Sequence, residues 1–308
     1  MDVKNVRRVI QIVCLLPALG VCFFLTESPV HADDIYAASF YNNTIYRYTS
    51  SGQQSVFVNS GLDGPDGLAF DSSGNLYVAN WGYSTFDIFS GGSIDKIDSS
   101  GHLTVFASGL AIPDGLAFDS SGNLYAAMNT TGTIMKYDPS GNGTVFASGL
   151  SFPYKMAFDN NGNLYVVDAG DNSIVKFDPD GNESVFASGI TYPRGVALDS
   201  NGNVYVSDNN RHIWKFDPSG QGSLFATDLY APMGLAFDSS GNLFLASSGD
   251  NTIVKFDPSG QQSVFANSGL DSPQAVAVQS VPEPATWILL ALGIIAFLGN
   301  HRLRRHSA

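Results

Sequence analysis

Two aspartates occur in the same tripeptide, Pro65-Asp66-Gly67 and Pro113-Asp114-Gly115. Carboxylates repeated in one sequence context are carried to equivalent places by equivalent local structure. Two of them beside an amide oxygen suit a hard divalent cation such as Ca2+, and Asn129 is the candidate third ligand. Asp66 and Asp114 are thereby also the carboxylates open to a catalytic role. Other catalytic sets lack parts. Cys14 and Cys22, the only cysteines, both lie in an N-terminal apolar stretch, so a mature chain without that stretch has neither disulfide nor thiol chemistry. Between Asp33 and Ser280 the histidines are His102 and His212, and the single glutamate is Glu183. No H-x-H, H-E-x-x-H or activated-serine arrangement is present, which excludes zinc-hydrolase and triad chemistry.

The elements that carry these residues repeat. PDGLAFDSSGNLYVAN from Pro65 returns with small changes at Pro113, Pro153, Pro193 and Pro232, and in truncated form at Pro273. The opening prolines are 48, 40, 40, 39 and 41 residues apart, a period that marks a repeat architecture. Each copy holds four short apolar runs rich in β-branched and aromatic residues, separated by Gly/Asn/Asp/Ser clusters, which predicts four strands joined by hairpins. The first copy, from Asp34, lacks its first strand, and the last, Pro273 to Gln279, consists only of that strand. The expected fold is all-β: a six-bladed β-propeller over residues 33–280, its four-stranded antiparallel blades closed into a ring by the N- and C-terminal strands. The Asp-x-x-Gly-Asn and Asp-Pro-Ser-Gly elements read as tight turns whose carboxylates serve the backbone, not calcium, since no distal Glu follows them.

This topology sorts the loops onto two faces. The near-identical tight turns share one, and the connections that differ between copies share the other, where binding resides on a uniform scaffold. The variable face carries the residue after each opening proline: Asp66, Asp114, Tyr154 (followed by Lys155), Arg194, Met233 and Gln274. It also carries the residues closing the second strand, among them Asn80, Asn129, Asp168 and Asp208. The first full copy is eight residues longer than the next, and the excess brings Trp81, Tyr83, Phe86 and Phe89 into a polar, Gly-rich loop. Aromatics in such a loop either bind carbohydrate, peptide or a partner surface, or pack against the blade.

The termini read as addresses. Lys4, Arg7 and Arg8 precede an apolar run from Val9 to Leu25 and a small-residue exit at Val30-His31-Ala32, which predicts a signal peptide over 1–32 cleaved after Ala32. Pro17, Gly20 and Pro29 weigh against an uncleaved helical anchor, and bulky Val21 weighs against a lipoprotein box at Cys22. The segment 281–308 has three parts: Val281-Pro282-Glu283-Pro284, an apolar run that predicts a transmembrane helix over about 285–299, and the basic group Arg302, Arg304 and Arg305. The whole chain carries −13 at neutral pH. Asp33 to Ser280 holds 25 acidic against nine basic residues, a surface that keeps a secreted protein soluble and repels nucleic acid.

Two family resemblances follow from these residues. Pro193 to Gly220 resembles an NHL repeat, and the paired PDGLAFDSSGNLY runs resemble the SMP-30/gluconolactonase family, which shares the six-bladed propeller. The second resemblance implies a metal-dependent lactonase in which Asp66 and Asp114 hold the ion. This sequence departs from it, because the family's Glu ligand has no counterpart and its Asn partner positions read Tyr154 and Arg194. The tail resembles the PEP-CTERM sorting signal, which implies processing by a membrane exosortase. The expectation is an exported propeller, anchored in the membrane by its C-terminal segment and then released to the cell surface or extracellular matrix. It would act there as a non-catalytic binding or scaffold module, with exopolysaccharide or a cell-surface protein as partner. The alternative is a lactonase or related hydrolase using Ca2+ or another divalent cation.

Overall fold

A computed structural model describes residues 12–13, 23–24, 33–82 and 90–279. Within the N-terminal stretch, Ile12–Val13 pairs antiparallel with Phe23–Phe24. Ala32, the loop residues Tyr83, Phe86 and Phe89, and the tail residues Val281, Pro282, Glu283, Pro284, Arg302, Arg304 and Arg305 lie outside the described residues, as does the apolar run 285–299.

The compact unit Asp33–Gln279 contains six four-stranded antiparallel sheets. Blade 1 joins both ends of the unit: Pro273–Gln279 is its inner strand, followed outward by Asp34–Ser39, Thr44–Tyr48 and Gln54–Val58. Blades 2 to 6 follow in chain order, with inner strands Pro65–Phe70, Pro113–Phe118, Pro153–Phe158, Pro193–Leu198 and Pro232–Phe237. Each inner strand touches the inner strands of both neighbouring blades, and Pro273–Gln279 touches those of blades 6 and 2, so the ring closes as expected. Closure by hydrogen bonding between the two ends of the unit removes the free inner edge that an open array would leave.

The burial pattern explains the sequence pattern. Second strands such as Leu76–Asn80, Leu124–Met128 and Leu164–Asp168 are buried along their whole length. Both of their faces meet protein, so their runs are continuously apolar instead of alternating. Outer strands are largely exposed. The tyrosine of the second strand links blades edge-on: Tyr77 meets Phe106 of its own outer strand at 5.1 Å and Phe118 of the next inner strand at 5.0 Å. Tyr125 repeats this with Phe146 and Phe158, and Tyr205 with Phe225 and Phe237.

The turn carboxylates behave as their sequence predicts. Asp159 Oδ1 accepts from the backbone N–H of Asn161 at 2.9 Å and of Asn163 at 2.8 Å, and Oδ2 accepts from the Asn163 amide at 2.6 Å. Gly162 closes that turn at φ 82°, a left-handed backbone that suits glycine. Six of the nine basic residues are also periodic. Arg47, Lys96, Lys136, Lys176, Lys215 and Lys255 each pair across strands with the second-strand aromatic of their own blade. The three that break the period, Lys155, Arg194 and Arg211, belong to blades 4 and 5.

Candidate functional site at the channel mouth

Inner strands run from the variable face to the tight-turn face, so their opening prolines surround the upper mouth of the central channel. Immediately before each proline the backbone is left-handed, at Gly64 (φ 66°), Ile112 (44°), Phe152 (53°), Tyr192 (47°), Ala231 (45°) and Ser272 (54°). A residue before proline ordinarily stays extended, and a non-glycine in this region costs on the order of 1–3 kcal/mol. Backbone hydrogen bonds hold the geometry: Ile112 O accepts from Asn129 N at 3.1 Å, and Gly64 O from Trp81 N at 3.0 Å. The conformation lifts Phe152 and Tyr192 onto the variable face, where Phe152 is half exposed.

The inner strands approach closely at the second residue after proline. A Cβ on Gly67 would lie 1.8 Å from Asp114 O, and one on Gly115 would lie 2.3 Å from Tyr154 O. Gly195 and Gly234 are confined in the same way, and blade 1 has Ala275 at this register. Blade 4 has Lys155, and its side chain crosses the mouth. Lys155 Nζ donates to Asp114 Oδ1 at 2.6 Å and to Asp66 Oδ1, bridging blades 2, 3 and 4. The three side chains are 12%, 0% and 3% exposed, respectively for Lys155, Asp114 and Asp66. Burial, and then the nearby Asp66 charge, push the Asp114 carboxyl above the usual range, while Lys155 and Arg194 pull it back. Burial works against the Lys155 ammonium, but the Asp114 and Asp66 charges outweigh it and raise its pKa.

The expected cation cage is therefore not what these residues form. The structure brings Asp66 and Asp114 together, yet the position between them holds the Lys155 ammonium. Asn129, the candidate third ligand, is directed elsewhere, its amide donating to Pro153 O at 3.5 Å. Among the described residues, no group of three His, Cys, Asp or Glu side chains is placed to hold a metal ion. The donor set does not fit a divalent cation while Lys155 occupies it.

Beside this cluster, Arg194 packs against two adjoining rings, its guanidinium carbon 4.9 Å from the Tyr154 centroid and 4.5 Å from that of Tyr192, which themselves meet edge-on at 6.0 Å. The two hydroxyls are 3.5 Å apart, and burial raises the Tyr154 phenol pKa. Trp81 packs edge-on against Phe40 at 5.2 Å. Asp66, Trp81, Tyr154, Lys155, Arg194, Met233, Gly234 and Gln274 line a cavity of about 50 Å³. Trp81 Nε1, Arg194 Nε and Asp114 Oδ2 are buried without a hydrogen-bond partner among the described residues.

The residues that close the second strands serve the scaffold. Asp168 and Asp208, expected on the ligand-facing surface, are 3% and 1% exposed. Asp168 accepts from Ser151 N at 2.7 Å, and burial lifts its pKa to about 6. Asp208 is saturated by donors from its own hairpin: His212 N at 2.9 Å, Trp214 Nε1 at 2.9 Å and a His212 ring contact at 3.2 Å. Asn80 accepts from Asp63 N at 3.2 Å and donates to Asp95 at 2.6 Å. Asp95 is the residue that sequence reasoning passed over. It is 2% exposed, burial raises its pKa to about 6, and one carboxylate oxygen lacks a partner among the described residues. Its signal was a charge at a third-strand register that reads Met135, Val175, Trp214 and Val254 in blades 3 to 6.

Comparison with known proteins places the chain by its fold and its tail. The family model for the NHL repeat matches residues 191–215, and that for the PEP-CTERM protein-sorting motif matches residues 280–305. No protein of curated function matches the chain. A crystal structure of a nidogen/laminin complex is similar over 80% of this chain and 98% of that one, at 19% identity and TM-score 0.71. Virginiamycin B lyase from Staphylococcus aureus is similar at 20% identity and TM-score 0.55, over 68% of this chain and 73% of the lyase. A streptogramin B lyase follows at 14% identity and TM-score 0.61, over 79% and 82%. Identities this low show the fold alone. The chain is a six-bladed propeller with an NHL repeat at residues 191–215 and a PEP-CTERM protein-sorting motif at residues 280–305, a motif that implies processing by exosortase. The SMP-30 resemblance rests on the paired PDGLAFDSSGNLY runs alone.

Proposed function

We propose that this propeller is a non-catalytic binding module of the cell surface or extracellular matrix, with the variable face as its contact surface. One observation carries the reading. The two carboxylates that a metal-dependent lactonase would place around its ion instead share the ammonium of Lys155. That arrangement stiffens the junction of three blades and puts an ammonium where the two carboxylates would share a metal ion. Arg194 and Trp81, each with a buried N–H lacking an acceptor among the described residues, line the cavity beside it.

The inner strand of blade 1 ends at Gln279 on the tight-turn face, where Gln279 accepts from Tyr36 Oη at 3.0 Å and donates to Gly74 O at 3.3 Å.

The test is retention of the full-length protein on exopolysaccharide extracted from the producing cells. Trp81→Ala should lower retention at least tenfold, and Asn201→Ala on the tight-turn face should leave it unchanged. Ca2+- or Zn2+-stimulated turnover of sugar lactones that Asp114→Ala abolishes would overturn the reading in favour of the hydrolase.

A further inference from the structure

Of the nine basic residues in the propeller, six belong to the periodic array on the second-strand aromatics. Arg211 is also committed, donating to Leu229 O at 2.8 Å and to Asp228 O at 3.3 Å while stacking on Tyr230. Lys155 is consumed by two carboxylates. Arg194 alone among these cations lines the cavity and has a buried N–H, at Nε, without an acceptor among the described residues. Tyr154 and Tyr192, whose rings meet edge-on at 6.0 Å, both pack against its guanidinium and hold it in place at the cavity. A planar, permanently charged donor edge held in this way matches a carboxylate, whose two oxygens accept parallel N–H bonds. Trp81 Nε1 supplies a further unused donor on the same cavity.

The cavity also bounds the ligand's size and remaining chemistry. About 50 Å³ is the room of one or two waters, enough for a substituent but not for a ring. The bulk of the ligand must therefore lie outside, over the face where Phe152 and Tyr192 are lifted. Asp66 lines the same cavity, and although Lys155 already donates to its Oδ1, a ligand group that meets this carboxylate must bring O–H or N–H donors. An aliphatic acid satisfies Arg194 and offers Asp66 nothing, whereas a carboxylate beside hydroxyls satisfies both. Sugar rings in addition present C–H faces to aromatic walls. The local balance is two cations against two carboxylates, and at physiological salt charges beyond about 8 Å are largely screened, so the acidic remainder of the propeller does not decide the outcome.

We propose that the channel mouth is a subsite for a carboxylated sugar, a uronate unit of a polysaccharide, with Arg194 receiving the carboxylate and Asp66 a neighbouring hydroxyl. This rests on the binding-module reading and specifies its ligand class. The experiment is calorimetric titration of the detergent-solubilised full-length chain with oligogalacturonate, with its carboxyl-reduced neutral counterpart, and with a glutamate-rich peptide. Oligogalacturonate should bind saturably and at least tenfold more tightly than either of the others. Arg194→Gln should remove that preference while leaving the unfolding temperature near wild type, and Arg194→Lys should restore part of it. Equal binding of the neutral oligomer, tighter binding of the peptide, unchanged binding by Arg194→Gln, or no saturable binding of oligogalacturonate each overturns the assignment. If the neutral oligomer binds in a Trp81-dependent way, the binding-module reading stands and only the carboxylate assignment falls. If no saccharide or extracted matrix binds, both fall.

Discussion

Replacing Lys155 by Met keeps the length of the side chain and removes its ammonium. The two carboxylates it serves are 3% and 0% exposed, so neither can be solvated in place of the lost partner. Breaking a buried ion pair by removing one partner costs about 3–5 kcal/mol. For a domain of this size 1 kcal/mol moves the unfolding temperature by about 2–4 °C, so Lys155→Met should unfold roughly 6–20 °C lower near neutral pH. Circular dichroism of the strand signal measures this directly. Adding Asp66→Asn and Asp114→Asn to the same chain should recover most of the loss, because the uncompensated charges are then gone. The pH dependence has a definite sign. A buried carboxylate without its cation has a folded pKa raised above the unfolded value, so its protonated form favours folding. That contribution is fully present below the unfolded pKa, about 4, and is lost as pH rises through the raised value, so the deficit should shrink on acidification. Millimolar Ca2+ should stabilise Lys155→Met, whose two carboxylates are released, and should leave wild type unmoved. A Lys155→Met variant that melts with wild type at neutral pH refutes the reasoning. So does wild-type stabilisation by Ca2+ that requires Asp114.

Two further substitutions test the scaffold. Asp95→Asn removes a buried charge whose pKa of about 6 lies above its unfolded value of 3.8, so it should raise stability by on the order of 2 kcal/mol above pH 7 and by almost nothing near pH 4, read from denaturant unfolding at both values. Asp159→Ala removes the acceptor for two backbone N–H groups and the Asn163 amide, and should cost about 1–3 kcal/mol in the same assay with no dependence on added Ca2+.

The repeat made the fold legible. Prolines about forty residues apart, four apolar runs per copy and two complementary fragments at the ends specify six blades and their closure, because each copy independently votes for the same hairpins. The same redundancy explains the turn aspartates, whose presence in nearly every copy marks them as serving the backbone. What sequence reasoning could not reach was distance across the ring. Lys155 lies 89 positions from Asp66 and 41 from Asp114, and nothing local to PYKMAF indicates that its ammonium ends between them. Nor does a PDG motif indicate whether its carboxylate meets a metal or a lysine. Asp168 and Asp208 misled for a related reason. They close strands on the variable face, yet hairpin N–H groups beside them need acceptors, and a buried carboxylate meets that need before any ligand does.

A usable rule follows from the residues that depart from their own repeat. At the Pro-x-Gly register, backbone contact between neighbouring inner strands requires glycine in four blades, so a lysine there is not a neutral drift of a surface position. Its long side chain has only the channel to enter, and it does so beside two further departures, the aspartates after Pro65 and Pro113. Asp95 interrupts a register that is apolar in blades 3 to 6. Arg194 stands where the others read Asp, Tyr, Met or Gln. Four of these five departures converge on one opening, and together they account for all three cavity-lining charges, Asp66, Lys155 and Arg194, and for the buried Asp114 carboxylate beside them. Convergence of independent departures is what separates a site from scatter, since random substitution across six blades would spread over both faces and all four strands.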